Sequence, residues 1–159
     1  MVGIAYYLMI LQNQEKTRKT QIFMNLYNQL SFKEKQRDWI ELMNYEWEDY
    51  EDFEHKYGSD SNPESFAQRF SLMYYFEGIG QILKDGWIDV ERVTQLVGNY
   101  CIWLWNKYES IIEAQRIQYN LPNMFLNFQY LAEEIEKQTK KQHPSYKVST
   151  SYSRYIQES

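Results

Sequence analysis

The run Phe76-Glu77-Gly78-Ile79-Gly80-Gln81-Ile82-Leu83-Lys84-Asp85-Gly86-Trp87-Ile88-Asp89 limits the architecture more than any other part of the chain. It closes one segment of helical apolar spacing, turns at Gly86 and opens the next at Asp89, whose carboxylate suits an N-cap. Glycine tolerates the left-handed backbone that ends a helix, so Gly86 marks the stop. Two rods joined this tightly lie side by side, the basic step of an up-and-down bundle.

The remaining apolar residues keep the same period. Ile22, Phe23, Leu26, Tyr27 and Leu30 form a stripe, and Val2 to Leu30 contains no breaker, which predicts one long N-terminal helix. Ser31-Phe32-Lys33-Glu34 has the spacing of a capping box, with Ser31 and Glu34 each placed to satisfy a free backbone N–H. A second helix is expected from there to Tyr57, its inner face made by Trp39, Met43, Trp47, Tyr50, Phe53 and Tyr57. Gly58 ends it, and Asn62-Pro63 supplies N-cap and first-turn residues for a third. That helix places Phe66, Phe70, Met73, Phe76, Gly80 and Leu83 inward; the fourth does so with Val93, Val97, Tyr100, Leu104, Tyr108 and Ile111. After Asn120-Leu121-Pro122 a last helix turns Phe125, Phe128, Leu131 and Ile135 inward.

The expected fold is therefore all-α: a long N-terminal helix followed by an up-and-down bundle of about four helices. Residues 1–30 form the arm, 31–139 the bundle and 140–159 a polar, mobile tail. Tyr146, Val148, Thr150 and Tyr152 alternate within that tail, but no second strand is available to pair with them. Six glycines and three prolines are too few for a turn-rich β fold. A net charge of −5 opposes broad contact with a phosphate backbone, so no nucleic acid is expected as partner. The single cysteine, Cys101, lies in an apolar stretch and reads as a buried, inert thiol in a reducing compartment.

No constellation carries chemistry. Aligning Gly86 with the glycine of a calcium loop puts Gln81 and Leu83 at ligand positions and Arg92 where the closing glutamate belongs, so the loop fails. Asp52 and Glu51 stand at helical spacing from His55, but the other histidine, His143, lies in the tail, and a two-helix metal site needs a second motif. The acidic run Glu46 to Glu54 reads instead as a solvated face. Gly78 and Gly80 sit inside a helix, not between strand and helix, so they make no phosphate loop. They cost about 2 kcal/mol of helix propensity together, which predicts close approach of another backbone or room for Trp103 or Trp105. Glu77 and Arg116 both lie at the edge of their stripes. An unpaired buried carboxylate is costly, so the two are expected to pair across a helix boundary. No catalytic residue, cofactor or metal is expected.

The segment Val2 to Leu11 is apolar, and Gln12, Gln14, Glu15, Lys16, Arg18 and Lys19 follow at once. Cations directly after an apolar segment match the cytoplasmic flank of a membrane helix, although a full span needs about 20 apolar residues. The arm is thus expected to touch a membrane, to associate with itself, or to pack into the groove of a protein partner.

Phe76-Glu77-Gly78-Ile79-Gly80, Gly86-Trp87-Ile88-Asp89, Trp105 with Ile111-Ile112 and Arg116, and Phe128-Gln129-Tyr130-Leu131-Ala132 together resemble an uncharacterised prokaryotic family. Its members carry one N-terminal membrane helix and a cytosolic all-helical domain of unknown function. The chain departs from that pattern in its short apolar segment and in Gln129, where a glutamate is usual. The resemblance implies a membrane-tethered helical domain and no activity. The expectation is a non-catalytic interaction or scaffold module on the cytoplasmic side of the cell membrane; the alternative is a soluble adaptor in the cytoplasm.

Overall fold

A computed structural model describes residues 2–147 and contains six helices: α1 Val2–Ser31, α2 Lys33–Asn44, α3 Tyr50–Tyr57, α4 Pro63–Lys84, α5 Val90–Gln118 and α6 Leu126–Gln142. Among the described residues there is no strand. Hydrogen bonds fix the directions. Lys19 of α1 meets Asp89 at the start of α5, Gln36 of α2 accepts from the Tyr100 hydroxyl, and Leu42 O accepts from Tyr108. Thus α1 and α2 climb beside α5. Helix α4 descends, since its first turns bond Tyr45 through Gln68 while Tyr75 reaches back to Leu26 O. Helix α6 also descends, from Arg116–Gln129 to Gln138–Glu91. The expected up-and-down arrangement is present, with α6 packed against both α4 and α5.

The core is the predicted stripes facing one another. Leu42, Met43, Phe53, Met73, Phe76, Val93, Val97, Leu104, Tyr108, Phe128, Leu131 and Ile135 are fully buried. Phe76 stacks on Phe128 with centroids 5.3 Å apart, and Trp105 meets Phe128 edge-on at 5.2 Å. Each such side chain contributes about 1.5–3 kcal/mol by leaving water. Cys101 is buried among them, and burial raises its thiol pKa well above the usual value, which leaves it inert.

The Gly86 turn forms as the sequence predicts. Gly86 has φ +73°, Trp87 N–H donates to Ile82 O at 3.1 Å, and Gly86 N–H donates to Leu83 O at 3.0 Å. These two bonds satisfy carbonyls left over at the end of α4. Asn62 caps α4, accepting from Ser65 N–H at 3.1 Å, with Pro63 in the first turn.

Three expected local features differ. Ser31 belongs to α1, so its hydroxyl donates back to Asn28 O, and Phe32 starts α2 with no side-chain cap; Ser31 and Glu34 form no capping box. The joint is held instead by Gln36 Nε2, which donates to Leu30 O at 2.7 Å. The helix expected from Ser31 to Tyr57 breaks at residues 45–49. There Asp49 caps α3 by accepting from Asp52 N–H at 2.8 Å, while Asp52 accepts from Glu48 N–H at 2.9 Å. This reciprocal capping competes with helix continuation and prevails locally. Asp89 stands at the N-cap of α5 by its backbone, but its carboxylate makes no cap and turns to Lys19 at 3.4 Å.

Helix α6 runs to Gln142, so structure continues past the expected tail boundary at residue 140. Residues 148–159, including Val148, Thr150 and Tyr152 of the alternating stretch, lie outside the described residues.

Candidate functional site

Glu77 and Arg116 do not pair. Both hold the first turn of α6, from different sides. Glu77 accepts from Asn127 Nδ2 at 3.0 Å and from Phe128 N–H at 2.7 Å. Arg116 donates from Nε to Met124 O at 2.9 Å and from Nη1 to Gln129 Oε1 at 3.1 Å. The reason lies in Phe125, the N-cap of α6, which has a left-handed backbone (φ 54°) and a side chain with no oxygen to cap. The helix therefore takes its capping carboxylate from α4, and Glu77 faces N–H groups that α6 leaves free. Gly80 lies beside this contact, where a Cβ would collide with the Asn127 carbonyl. The expected backbone approach is real at Gly80. Nothing lies within 4 Å of a Cβ at Gly78, so that glycine has no such role.

A second polar cluster lies where α3, α4 and α5 meet. Arg69 is completely buried, its guanidinium 4.7 Å, 5.3 Å and 5.2 Å from the ring centroids of Phe53, Phe66 and Phe70. Nη1 donates to Gln115 Oε1 at 3.3 Å, and Gln115 Nε2 donates to Glu54 Oε1 at 2.9 Å. Tyr119 reaches the other Glu54 oxygen at 3.4 Å, and the Tyr50 hydroxyl donates to Gln118. Burial lowers the Arg69 pKa; Tyr108, Glu54, Tyr119 and Tyr50 oppose that shift. The aromatic faces and the relayed charge of Glu54 compensate a cation that has no direct carboxylate contact. The acidic run is thus not wholly a solvated face, because Glu54 turns inward.

Lys107 is the second buried cation. Its Nζ donates to Tyr45 O at 2.7 Å, a carbonyl released by the break after α2, and lies 4.8 Å from the Trp47 ring. Burial pushes its pKa down to about 8, with Glu46 opposing. It forms part of a cleft of about 430 Å³ between residues 47–50 and α5, along with Asn106, Glu109, Ser110 and Glu113. Burial and the neighbouring Glu113 raise the Glu109 carboxyl. Arg69 and Lys107 escaped the sequence reading, although the signal was present. Arg69 follows Phe66 by three and precedes Met73 by four; Lys107 stands in the same relation to Leu104 and Ile111. A cation at stripe positions is either neutralised inside or marks a site.

The most conspicuous surface is the first half of α1. Ile4, Tyr6, Tyr7, Leu8, Met9 and Leu11 are 43–69% exposed. At 100° per residue these side chains, with Ala5 and Ile10, encircle the helix and leave no polar face. The arm leaves the bundle at the Gly86 turn, where the Arg18 guanidinium lies 5.2 Å from the centroid of the half-exposed Trp87 ring. No helix among the described residues is long and apolar enough to cross a membrane.

Fold and surface together define an all-α, up-and-down helical bundle carrying an exposed apolar arm. The chain belongs to the family described as Domain of unknown function (DUF4760), which matches residues 1–135 and so includes the arm, the Gly86 turn and the α6 clamp. Searches of curated proteins and of solved structures find no match.

Proposed function

We propose that this chain is a non-catalytic, membrane-associated helical interaction module. The arm of α1 enters the hydrocarbon of one leaflet, and the bundle is a rigid platform held beside the membrane. The observation that carries this reading is the ring of exposed apolar side chains around residues 4–11. A helix destined for a protein groove keeps one apolar stripe and a polar back; a helix apolar on every face belongs where it is surrounded, in lipid or in the core of a large protein. Eight residues rise about 12 Å, close to the roughly 15 Å hydrocarbon depth of one leaflet. Lys16, Arg18 and Lys19 follow on the flank, the cytoplasmic pattern.

Flotation with phosphatidylcholine vesicles tests it. The intact chain is expected to float, and Ile4→Glu/Leu8→Glu to remain at the bottom with unchanged helicity and melting. A chain that stays unbound, yet sediments as a discrete oligomer that the same double variant dissociates, would replace this reading with self-association through the arm.

A further inference from the structure

The unpaired cations and the carboxylate run lie at opposite ends of α5. Helix α5 has 29 residues and is therefore about 43 Å long. Its first turn lies beside Lys19 through Asp89, and the Gln138–Glu91 bond brings the last turn of α6 to the same end. Lys16, Arg18, Lys84, Lys140 and Lys141 collect around this end with Lys19, interspersed with the carboxylates Glu15, Asp85, Asp89, Glu91 and Glu136. Lys19 is engaged by Glu15 and Asp89, and Lys140 by Glu136. No described carboxylate lies within ion-pair distance of Lys16, Arg18, Lys84 or Lys141, and all four are exposed.

At the opposite end of α5 carboxylates outnumber the cations Lys56, Arg69 and Lys107. Gln115, Gln118 and Tyr119 bind Glu54 and Tyr50, so the run Glu46, Glu48, Asp49, Glu51, Asp52 and Glu54 is fixed there. Glu109 and Glu113 add to it, one turn apart on α5 and both on the Trp47 cleft. The sequence places the acidic run near the arm, only about thirty residues on. The fold carries it to the far end.

Lys16 to Lys19 lie five to eight residues beyond Leu11, about 8–12 Å along the helix axis. That is the depth of the headgroups when Leu11 marks the edge of the hydrocarbon, and it is within a Debye length of surface charge. From this placement we infer that the protein recognises anionic phospholipid headgroups through the base of the arm, and that it stands upright, with the Trp87 turn against the membrane and the Trp47 cleft about 25–35 Å away along α5. Trp87, with an apolar ring and a polar edge, suits the interfacial layer. An acidic end repelled by the same headgroups keeps the cleft facing away. This inference rests on the membrane reading of the arm and adds the lipid class and the orientation.

The experiment compares flotation with phosphatidylcholine vesicles and with vesicles in which about a third of the lipid is phosphatidylglycerol. The intact chain is expected to bind the anionic vesicles at least tenfold more tightly, with the excess removed by salt. Lys16→Gln/Arg18→Gln/Lys84→Gln should keep its binding to phosphatidylcholine and lose that excess. Binding to neither vesicle would overturn the arm itself. Equal, salt-independent binding to both would leave the arm standing and overturn the headgroup recognition. Orientation is read by energy transfer to a headgroup acceptor from a dye at Asp85→Cys or at Ser110→Cys, the native Cys101 being buried and unlabelled. Stronger transfer from position 85 is expected; equal or weaker transfer would refute the upright posture.

Discussion

The far end of the bundle and the arm of α1 break the ordinary rule of burial in opposite senses. Around Arg69 and Lys107 the protein encloses charge, and along residues 4–11 it exposes hydrocarbon. The first departure is answered largely inside the molecule: three phenylalanine rings and the Gln115–Glu54 relay surround Arg69, whose Nε and Nη2 stay without a hydrogen-bond partner, and Tyr45 O with Trp47 receives Lys107. The second is not answered within the described residues. A violation compensated from within is evidence about stability, whereas one left open is evidence about a partner.

The sharpest way to break that contrast is to show that the buried charge is dispensable. Arg69→Ala should lower the free energy of unfolding by about 3–5 kcal/mol in urea titrations, since it leaves a cavity between the rings and strands Gln115 and Glu54. Arg69→Met keeps the volume and should cost less than about 2 kcal/mol; equal losses would mean that the charge and its hydrogen bond, not packing, set the effect. Next comes the α4–α6 seam. Gly80→Ala should destabilise by about 1–3 kcal/mol or more through the Asn127 carbonyl, while Gly78→Ala should stabilise by up to about 1 kcal/mol from helix propensity alone. If both glycines tolerate alanine, the close approach at Gly80 is not what the sequence is selected to keep. Glu77→Ala removes the borrowed cap of α6 and should cost about 1–2 kcal/mol.

Lys107 gives a pH signature. Its folded pKa, about 8, lies below the value of about 10.5 expected of an unfolded chain. Between those values the unfolded chain holds a proton that the folded one has released, so stability rises with pH. The slope difference between the intact chain and Lys107→Met should approach about 1 kcal/mol per pH unit from pH 8 to 10. Above that range the buried Tyr108, with its pKa raised by burial, acts with the opposite sign. The smallest effect belongs to the arm: Leu8→Ser should change unfolding by less than about 0.5 kcal/mol while weakening vesicle binding. A larger loss of stability would show that the arm packs on protein.

Much of the bundle was legible because helical spacing is a local property. Val93 to Ile111 and Phe128 to Ile135 face inward as their period requires, and Gly86 turns because it alone relieves the left-handed backbone there. The capping of α2 was misread because Ser31 has two uses, cap or last residue of the preceding helix, and spacing does not choose between them. The pairing of Glu77 with Arg116 was misread for a related reason. Both residues lie at core edges as expected, but the partner that each finds is a helix end created by Phe125, whose left-handed backbone no pattern announces.

Local residue pattern alone sets the helical class, the place where most rods begin and end, and the apolar arm with its basic flank ahead of the bundle. Composition and period suffice for that, since each depends on neighbours within a few residues. It took the packed fold to turn Glu54 inward, to strip Lys107 of its water, and to carry the acidic run a helix length away from the arm. Those outcomes depend on which residues distant in sequence share a small volume, where desolvation and charge act across space and the order of the chain does not enter.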